Sequence, residues 1–353
     1  MDSILQVARI EMKKVEWKKF DWNMGLRGAV AVAVGTVIGH VVGIDPAITG
    51  LSAAFVTLTD PPGHLKDKLR VMGIWTLVGA LLTIVALTIG DYMWPMTISL
   101  TVVTFFCGLT LFYGPNAAML GLLMNCWFVV VLELSGPPVL DKLAGFLIGG
   151  LVAMIAIAVF TFILIPYRKK RGTSSAPKGE TGPDIRSIWR SPAFQFAVVK
   201  ACAVGAAAIL GWMLVGAKPF WVVFAPLSIV KPDLHQTKLS GLKRIAGTIV
   251  GGIVGVLLIG NLQDPLVLMT MVILIIFLFL SVVNLSYTIE IMLLTILMIV
   301  VGRIEGASAI FSGTERIVAT ILGVVIAFVV ILVIKRMVDL RNARSHPDAD
   351  SSG

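Results

Sequence analysis

The sequence predicts an all-α integral membrane protein with about twelve transmembrane segments, laid out as two parallel six-span repeats in which the second span is short or broken. Three observations lead there. Mean hydropathy is +0.94 and only 14% of the 353 residues are charged, where a soluble domain carries about a quarter. Apolar runs near the roughly 20 residues needed to cross a bilayer as a helix recur along the whole chain. Polar residues also repeat in register. Arg70 and Arg244, Gly73 and Gly247, Tyr113 and Tyr287, Asp141-Lys142 and Glu315-Arg316, and Gly149 and Gly323 all stand 174 positions apart. Apolar matches mean little in a chain that is 57% hydrophobic, but charges agreeing in register are hard to obtain by accident.

Residues 1–23 form a polar start with helical apolar spacing (Ile4, Leu5, Ala8, Met12, Val15) and Lys13, Lys14, Lys18 and Lys19 at its edges, the pattern of an interfacial segment. The first membrane repeat, 24–166, divides into segments near 24–43, 46–59, 70–90, 94–113, 115–135 and 141–166. A basic stretch rich in Gly, Ser and Pro, 167–192, has the composition of a linker. The second repeat, 193–336, gives segments near 193–215, 219–230, 245–260, 264–284, 287–302 and 315–334. The tail, 337–353, ends in "RNARSHPDADSSG", which reads as polar and disordered. No cleavable leader pattern precedes the first span.

With both termini in the cytoplasm, all but five of the 29 Lys and Arg fall on the inside, the five being Lys142, Lys200, Lys218, Arg303 and Arg316. That asymmetry is the positive-inside pattern and argues against nucleic acid as the reason for the net charge of +9. Six spans per half is an even number, so both halves enter the bilayer in the same direction and are related by an axis along its normal. The second segments, 46–59 and 219–230, are too short to cross as ordinary helices and are flanked by Pro46, Pro61 and Pro62 or by Pro219 and Pro232. Interrupted segments at equivalent places in two halves point to a binding site, or else to a re-entrant piece with a packing role.

The stretch 219–255, "PFWVVFAPLSIVKPDLHQTKLSGLKRIAGTIVGGIVG", resembles the signature of the fusaric acid resistance family. This family is also called the aromatic acid exporters and is distantly similar to plant aluminium-activated malate transporters. The residues that carry the likeness are Trp221, Pro232, Thr237, Arg244, Gly247, Thr248, Gly251 and Gly255, with Arg316 and Gly323 as a second basic element. The first half matches through Arg70 and Gly73 but has Ala47 near the place of the Trp and Ile74 in place of the Thr. Larger members carry a long soluble cytoplasmic region, for which only 167–192 could stand here. The resemblance implies export of small organic anions, typically aromatic carboxylates, across a bacterial inner membrane.

Candidate pore residues are cations in or beside apolar sequence. Arg70 and Arg244 open the third segments, where a planar guanidinium suits a carboxylate and a topology anchor is the competing role. Arg27 and Lys200 lie near the start of the first spans, one residue off the common interval. Lys200 is the deeper, and a charge at mid-bilayer costs about 2.5–3.5 kcal/mol, which turns such residues inward; Arg27 is better placed to snorkel. Lys142 and Arg316 begin the sixth spans behind Asp141 and Glu315. These acids suit a helix N-terminus, whereas the cations do not. Trp221 joins the set through the family motif. Glu290 and Glu133 are the acids most embedded in apolar sequence, so either can couple transport to protons or pair with a nearby base.

Cys107, Cys126 and Cys202 fall in apolar runs without metal-ligand spacing and read as small buried hydrophobes. His40, His64 and His235 lack a second ligand at helical spacing, so no metal is expected. The glycines of 145–150 and 247–255, the latter with two successive GxxxG spacings, suit close helix packing. There is no nucleotide-binding loop and no nucleophile–base motif, so neither an enzyme nor a cofactor is expected. The expected function is secondary export of small organic anions, with a passive anion channel and a non-transporting scaffold as alternatives. Expected partners are the lipid bilayer, the anion, and a second copy or a periplasmic adaptor, with no nucleic acid.

Overall fold

The computed structural model describes residues 20–61, 63–89, 92–133, 139–164, 191–215, 220–283, 285–304 and 306–345. The interfacial segment expected within 1–23 and the linker 167–192 lie almost wholly outside these. The described residues form twelve α-helices: α1 Trp22–Val42, α2 Pro46–Leu58, α3 Leu65–Ile89, α4 Met93–Leu109, α5 Pro115–Glu133, α6 Val139–Leu164, α7 Pro192–Val215, α8 Phe220–Ile229, α9 Leu234–Ile259, α10 Pro265–Val282, α11 Tyr287–Ile304 and α12 Ala309–Ser345. A 3₁₀ turn, Thr110–Tyr113, extends α4.

Ten of these are long and apolar enough to cross a membrane, which makes the chain an all-α membrane protein. The other two, α2 and α8, have 13 and 10 residues. At 1.5 Å per residue they rise about 20 and 15 Å, short of a hydrocarbon core of about 30 Å. Local chemistry sets their limits. Asp45 caps α2 through the backbone N–H of Ala47, with Pro46 at the first helical position. Pro226 lies inside α8, and Pro232 and Asp233 follow its end, Asp233 capping α9 through His235 and Gln236. Large apolar side chains, among them Val37, Leu77, Leu81, Leu257 and Leu266, stand exposed around the bundle, as a bilayer-facing surface requires.

The short helices sit inside. The α2 helix packs on α1 and α6, and α8 packs on α7 and α12. Glycines permit both approaches. A Cβ on Gly149 of α6 would strike Ser52, Thr49 and Ala53 of α2, and one on Gly323 of α12 would strike Val222 and Ala225 of α8. Elsewhere α1 packs on α10 and α7 on α4. Gly25, near the start of α1, lies against Ser281 near the end of α10, and Ala197, near the start of α7, lies against Gly108 near the end of α4.

Four boundaries differ from expectation. The third helices start earlier than 70 and 245, because the polar segments before them are themselves helical. Arg70 therefore lies in the second turn of α3, and Arg244 lies about 15 Å along α9 instead of at its mouth. The last helix begins at Ala309, so Glu315 and Arg316 are well inside it, and the helix-dipole reason for Glu315 falls away; Asp141 does sit in a first turn, that of α6. Finally, the helix runs on through 341–345, which had read as disordered. Leu340, Arg341, Ala343 and Arg344 are strong helix formers, and Arg suits a helix C-terminus.

Candidate functional site

Polar groups gather at the end of the bundle that carries the α2–α3 and α8–α9 connections. Arg244 is turned inward and only 6% exposed. Its Nη1 donates to Ser228 Oγ on α8 at 2.7 Å. Ser228 in turn donates to the carbonyls of Phe224 and Ala225, one turn back on the same helix. Glu290, in the first turn of α11, lies within electrostatic reach of Arg244 and of Lys231. Lys231 is also within electrostatic reach of Lys200, on the third turn of α7. Lys200 is 8% exposed, and its ammonium stands 5.4 Å from the Phe196 ring centre. Cys107 and Cys126, on α4 and α5, are within electrostatic reach of Lys200.

The backbone holding Lys231 is braced by Thr237. The Lys231 N–H donates to Thr237 Oγ1 at 3.0 Å, and that hydroxyl reaches the carbonyls of Lys231 and Asp233. This explains the motif's Thr: it fixes the turn from which Lys231 enters the bundle. Burial lowers the Lys231 pKa below the usual lysine value, and the Glu290 carboxylate opposes that shift. Arg244 Nε, Tyr287 Oη and Thr288 Oγ1 are buried at this end without a hydrogen-bond partner among the described residues, an unusual condition for buried donors.

The α9–α11 seam beneath the cluster is a glycine contact. Cβ atoms on Gly247, Gly251 and Gly255 would meet Thr288 and Ile291, then Met292 and Thr295, then Ile296 and Ile299. The two GxxxG spacings are thus packing devices that bring Arg244 and Glu290 onto adjoining helices.

At the other end, the Arg316 guanidinium stacks on the Trp221 ring, which is itself stacked with Phe224 at 5.7 Å between centres. Lys142 is buried at 3% exposure in the first turns of α6. The remaining expected residues are placed differently. Arg70 is exposed, so the two arginines in register do not share an environment. Arg27 forms an ion pair with Asp60 at 2.5 Å. Glu133 ends α5, and its side chain lies outside the described residues. Cys202, expected to be buried, is exposed on α7, while Cys107 and Cys126 are partly buried. Sequence reading missed Lys231, whose loop position gave it the look of a topology signal; its signal was the adjacent Pro232 and the Thr237 of the motif.

An apolar groove of about 550 Å³ lies between α3, α4 and α5, lined by residues such as Ile74, Trp75, Phe106 and Leu120. It presents no charge to a ligand and belongs with the apolar surface rather than with the cation cluster.

Residues 202–330 match the family model described as fusaric acid resistance protein-like, in agreement with the resemblance read from 219–255 and from Arg316 and Gly323. No curated protein and no solved structure matches the chain.

Proposed function

We propose that this chain, whose second half matches the fusaric acid resistance protein-like family, is a secondary transporter that exports small organic anions, with aromatic carboxylates as the preferred class. The observation that carries the reading is the burial of Arg244, Lys200 and Lys142 in apolar, membrane-length helices. Cations kept inside a bundle at the cost of burial mark a path for negative charge. The anion enters from the cytoplasm between Lys231, Arg244 and Lys200 and leaves past Lys142 and past Arg316 on Trp221. Arg70, exposed at the same end as Arg244, draws anions to the mouth. Arg27, tied to Asp60, has a structural task.

The architecture in this reading is two parallel six-helix repeats, 24–166 and 193–336, with both termini in the cytoplasm of a bacterial cell. Support comes from packing that recurs when the helix number is raised by six. The pairs α1–α2, α2–α6, α3–α6, α3–α5, α4–α5 and α1–α6 have counterparts in α7–α8, α8–α12, α9–α12, α9–α11, α10–α11 and α7–α12. Between the halves, α4–α7 is answered by α10–α1. Such reciprocity belongs to a twofold relation, and the short helices α2 and α8 fall at equivalent places in it.

Glu290, beside Arg244 and Lys231, is the carboxyl to which we assign proton coupling, with Glu133 as the second candidate. The membrane potential alone supplies about 2.3 kcal/mol per anion charge moved outward at 100 mV. The test is efflux of radiolabelled benzoate and 4-hydroxybenzoate from proteoliposomes, with voltage and pH gradients imposed separately. Flux that needs a pH gradient at zero voltage supports the coupled exporter. Flux that follows voltage alone makes the protein an anion channel, and no flux of either probe removes the proposal.

A further inference from the structure

The two halves differ where a binding site matters most. Pro61 and His64 after α2 match Pro232 and His235 after α8 at one common interval, and at that interval Asp60 is answered by Lys231. An acid in the first half has become a base in the second. In the first half Asp60 is buried and takes Arg27 on one oxygen at 2.5 Å and Lys68 on the other at 2.6 Å. The counterpart of Arg27 on the first helix of the second half is Lys200. There it lies within electrostatic reach of Lys231, another cation.

The interiors diverge in the same sense. The first half is filled by an aromatic cluster. Trp127 and Phe146 have ring centres 4.5 Å apart, with Phe55 and Trp75 packed around them, and Trp127 Nε1 donates to Thr83 Oγ1 at 3.0 Å. At the 174-residue interval Trp75, Trp127 and Phe146 become Ile249, Val301 and Thr320. Rings that seal the centre of one half are replaced by smaller groups in the other.

We propose that the chain has one anion-binding site, in its second half, formed by Lys200, Lys231 and Arg244 around Glu290, and that the equivalent place in the first half is closed by Asp60 acting as a built-in carboxylate. This rests on the reading of the protein as an organic-anion transporter and adds the location, the number and a residue, Lys231, that the family motif does not include. Three cations stand against one carboxylate, so the site attracts a further anion. Arg244 Nε and the Tyr287 and Thr288 hydroxyls, buried there without partners among the described residues, are donors that an incoming carboxylate can use. In the first half the corresponding charge is already present, two bonds from the backbone, and no exogenous anion is drawn in.

The test is equilibrium binding of radiolabelled benzoate, and separately of phthalate as a dianion, to the purified full chain in detergent. Wild type is expected to bind one anion per chain. Lys231→Asp, which makes the second half imitate the first, is expected to abolish binding, and the milder Lys231→Gln to weaken it about tenfold, since the loss is that of one charge in a partly buried setting. Both variants are checked for a single monodisperse peak. Two sites per chain, unchanged affinity in Lys231→Gln, or no binding of either probe by wild type would each overturn the proposal. Binding without efflux from liposomes would defeat the transporter reading and leave this site standing.

Discussion

Arg244 on α9 and Ser228 on α8 are joined by a 2.7 Å hydrogen bond, so the inward-facing guanidinium is oriented by the short, proline-interrupted helix. Position and charge are therefore set by different helices. Arg244→Lys keeps the charge but loses the planar fork, and Ser228→Ala keeps the fork but loses its orientation. Initial efflux rates are expected to fall by about tenfold or more in Arg244→Lys, and in Ser228→Ala as well, since one hydrogen bond to a charged group is worth about 1.5–3 kcal/mol. Equal rates in wild type and Arg244→Lys would show that only the charge matters.

The Asp60 carboxylate bridges Arg27 and Lys68, one on each oxygen. In Asp60→Asn both cations lose their counter-charge, and breaking such a pair costs about 3 kcal/mol. Thermal unfolding in detergent is expected several degrees below wild type. A paired Arg27→Gln/Asp60→Asn variant should recover part of the loss, because it leaves fewer unmatched charges. An unchanged melting temperature in Asp60→Asn would remove Asp60 from its assigned task.

Much of the fold was legible because membrane helices must be long, apolar and continuous, and their ends coincide with Pro, Gly and Asp. Asp45 and Asp264 cap helices that begin close to where they were expected, whereas Asp233 caps α9 well ahead of the expected 245. The short second segments were legible for the same reason. What the sequence concealed was the direction in which a charged side chain points. Arg70 and Arg244 share register and flanking glycines, yet one is exposed and the other buried. The difference arises from the partners: a Cβ on Gly247 would run into α11, whereas one on Gly73 would meet only Met154 Sδ at 4.0 Å. Ion pairing was hidden as well, since Asp60 and Arg27 are joined across a helix hairpin that spacing along the chain does not reveal.

That contrast between matched glycines is itself testable. A Cβ on Gly247 would approach the Thr288 carbonyl oxygen to 2.6 Å and Ile291 to 3.0 Å, so α9 and α11 would have to separate. Gly247→Ala is expected to destabilise the protein by about 1–3 kcal/mol, the usual cost of overpacking. Gly73→Ala meets only Met154 Sδ at 4.0 Å. It should be neutral or stabilising by up to about 1 kcal/mol, because Ala loses less conformational freedom in a helix than Gly does. Detergent-resistance half-lives of the two variants check the pair, and equal losses in both would contradict the tight α9–α11 seam.

Lys231 offers a pH-dependent readout outside the membrane-spanning helices. Burial lowers its pKa from the usual lysine value, with Glu290 opposing and Lys200 as the other titrating group that faces it. A base whose pKa is lower folded than unfolded loses its proton first in the folded protein. Anion binding that depends on the Lys231 charge is therefore complete below the lowered value and declines as pH rises through it, before an ordinary lysine would titrate. Folding stability moves the opposite way, since the unfolded chain binds more protons across that window and stability rises with pH. Lys231→Arg holds the charge at all accessible pH. Its benzoate binding should keep the wild-type affinity near neutrality within a few-fold and move the alkaline decline upward, leaving Lys200 as the remaining lysine that titrates. An alkaline limb identical in wild type and Lys231→Arg would assign the titration to Lys200 alone and place Lys231 outside the set of charges that hold the anion.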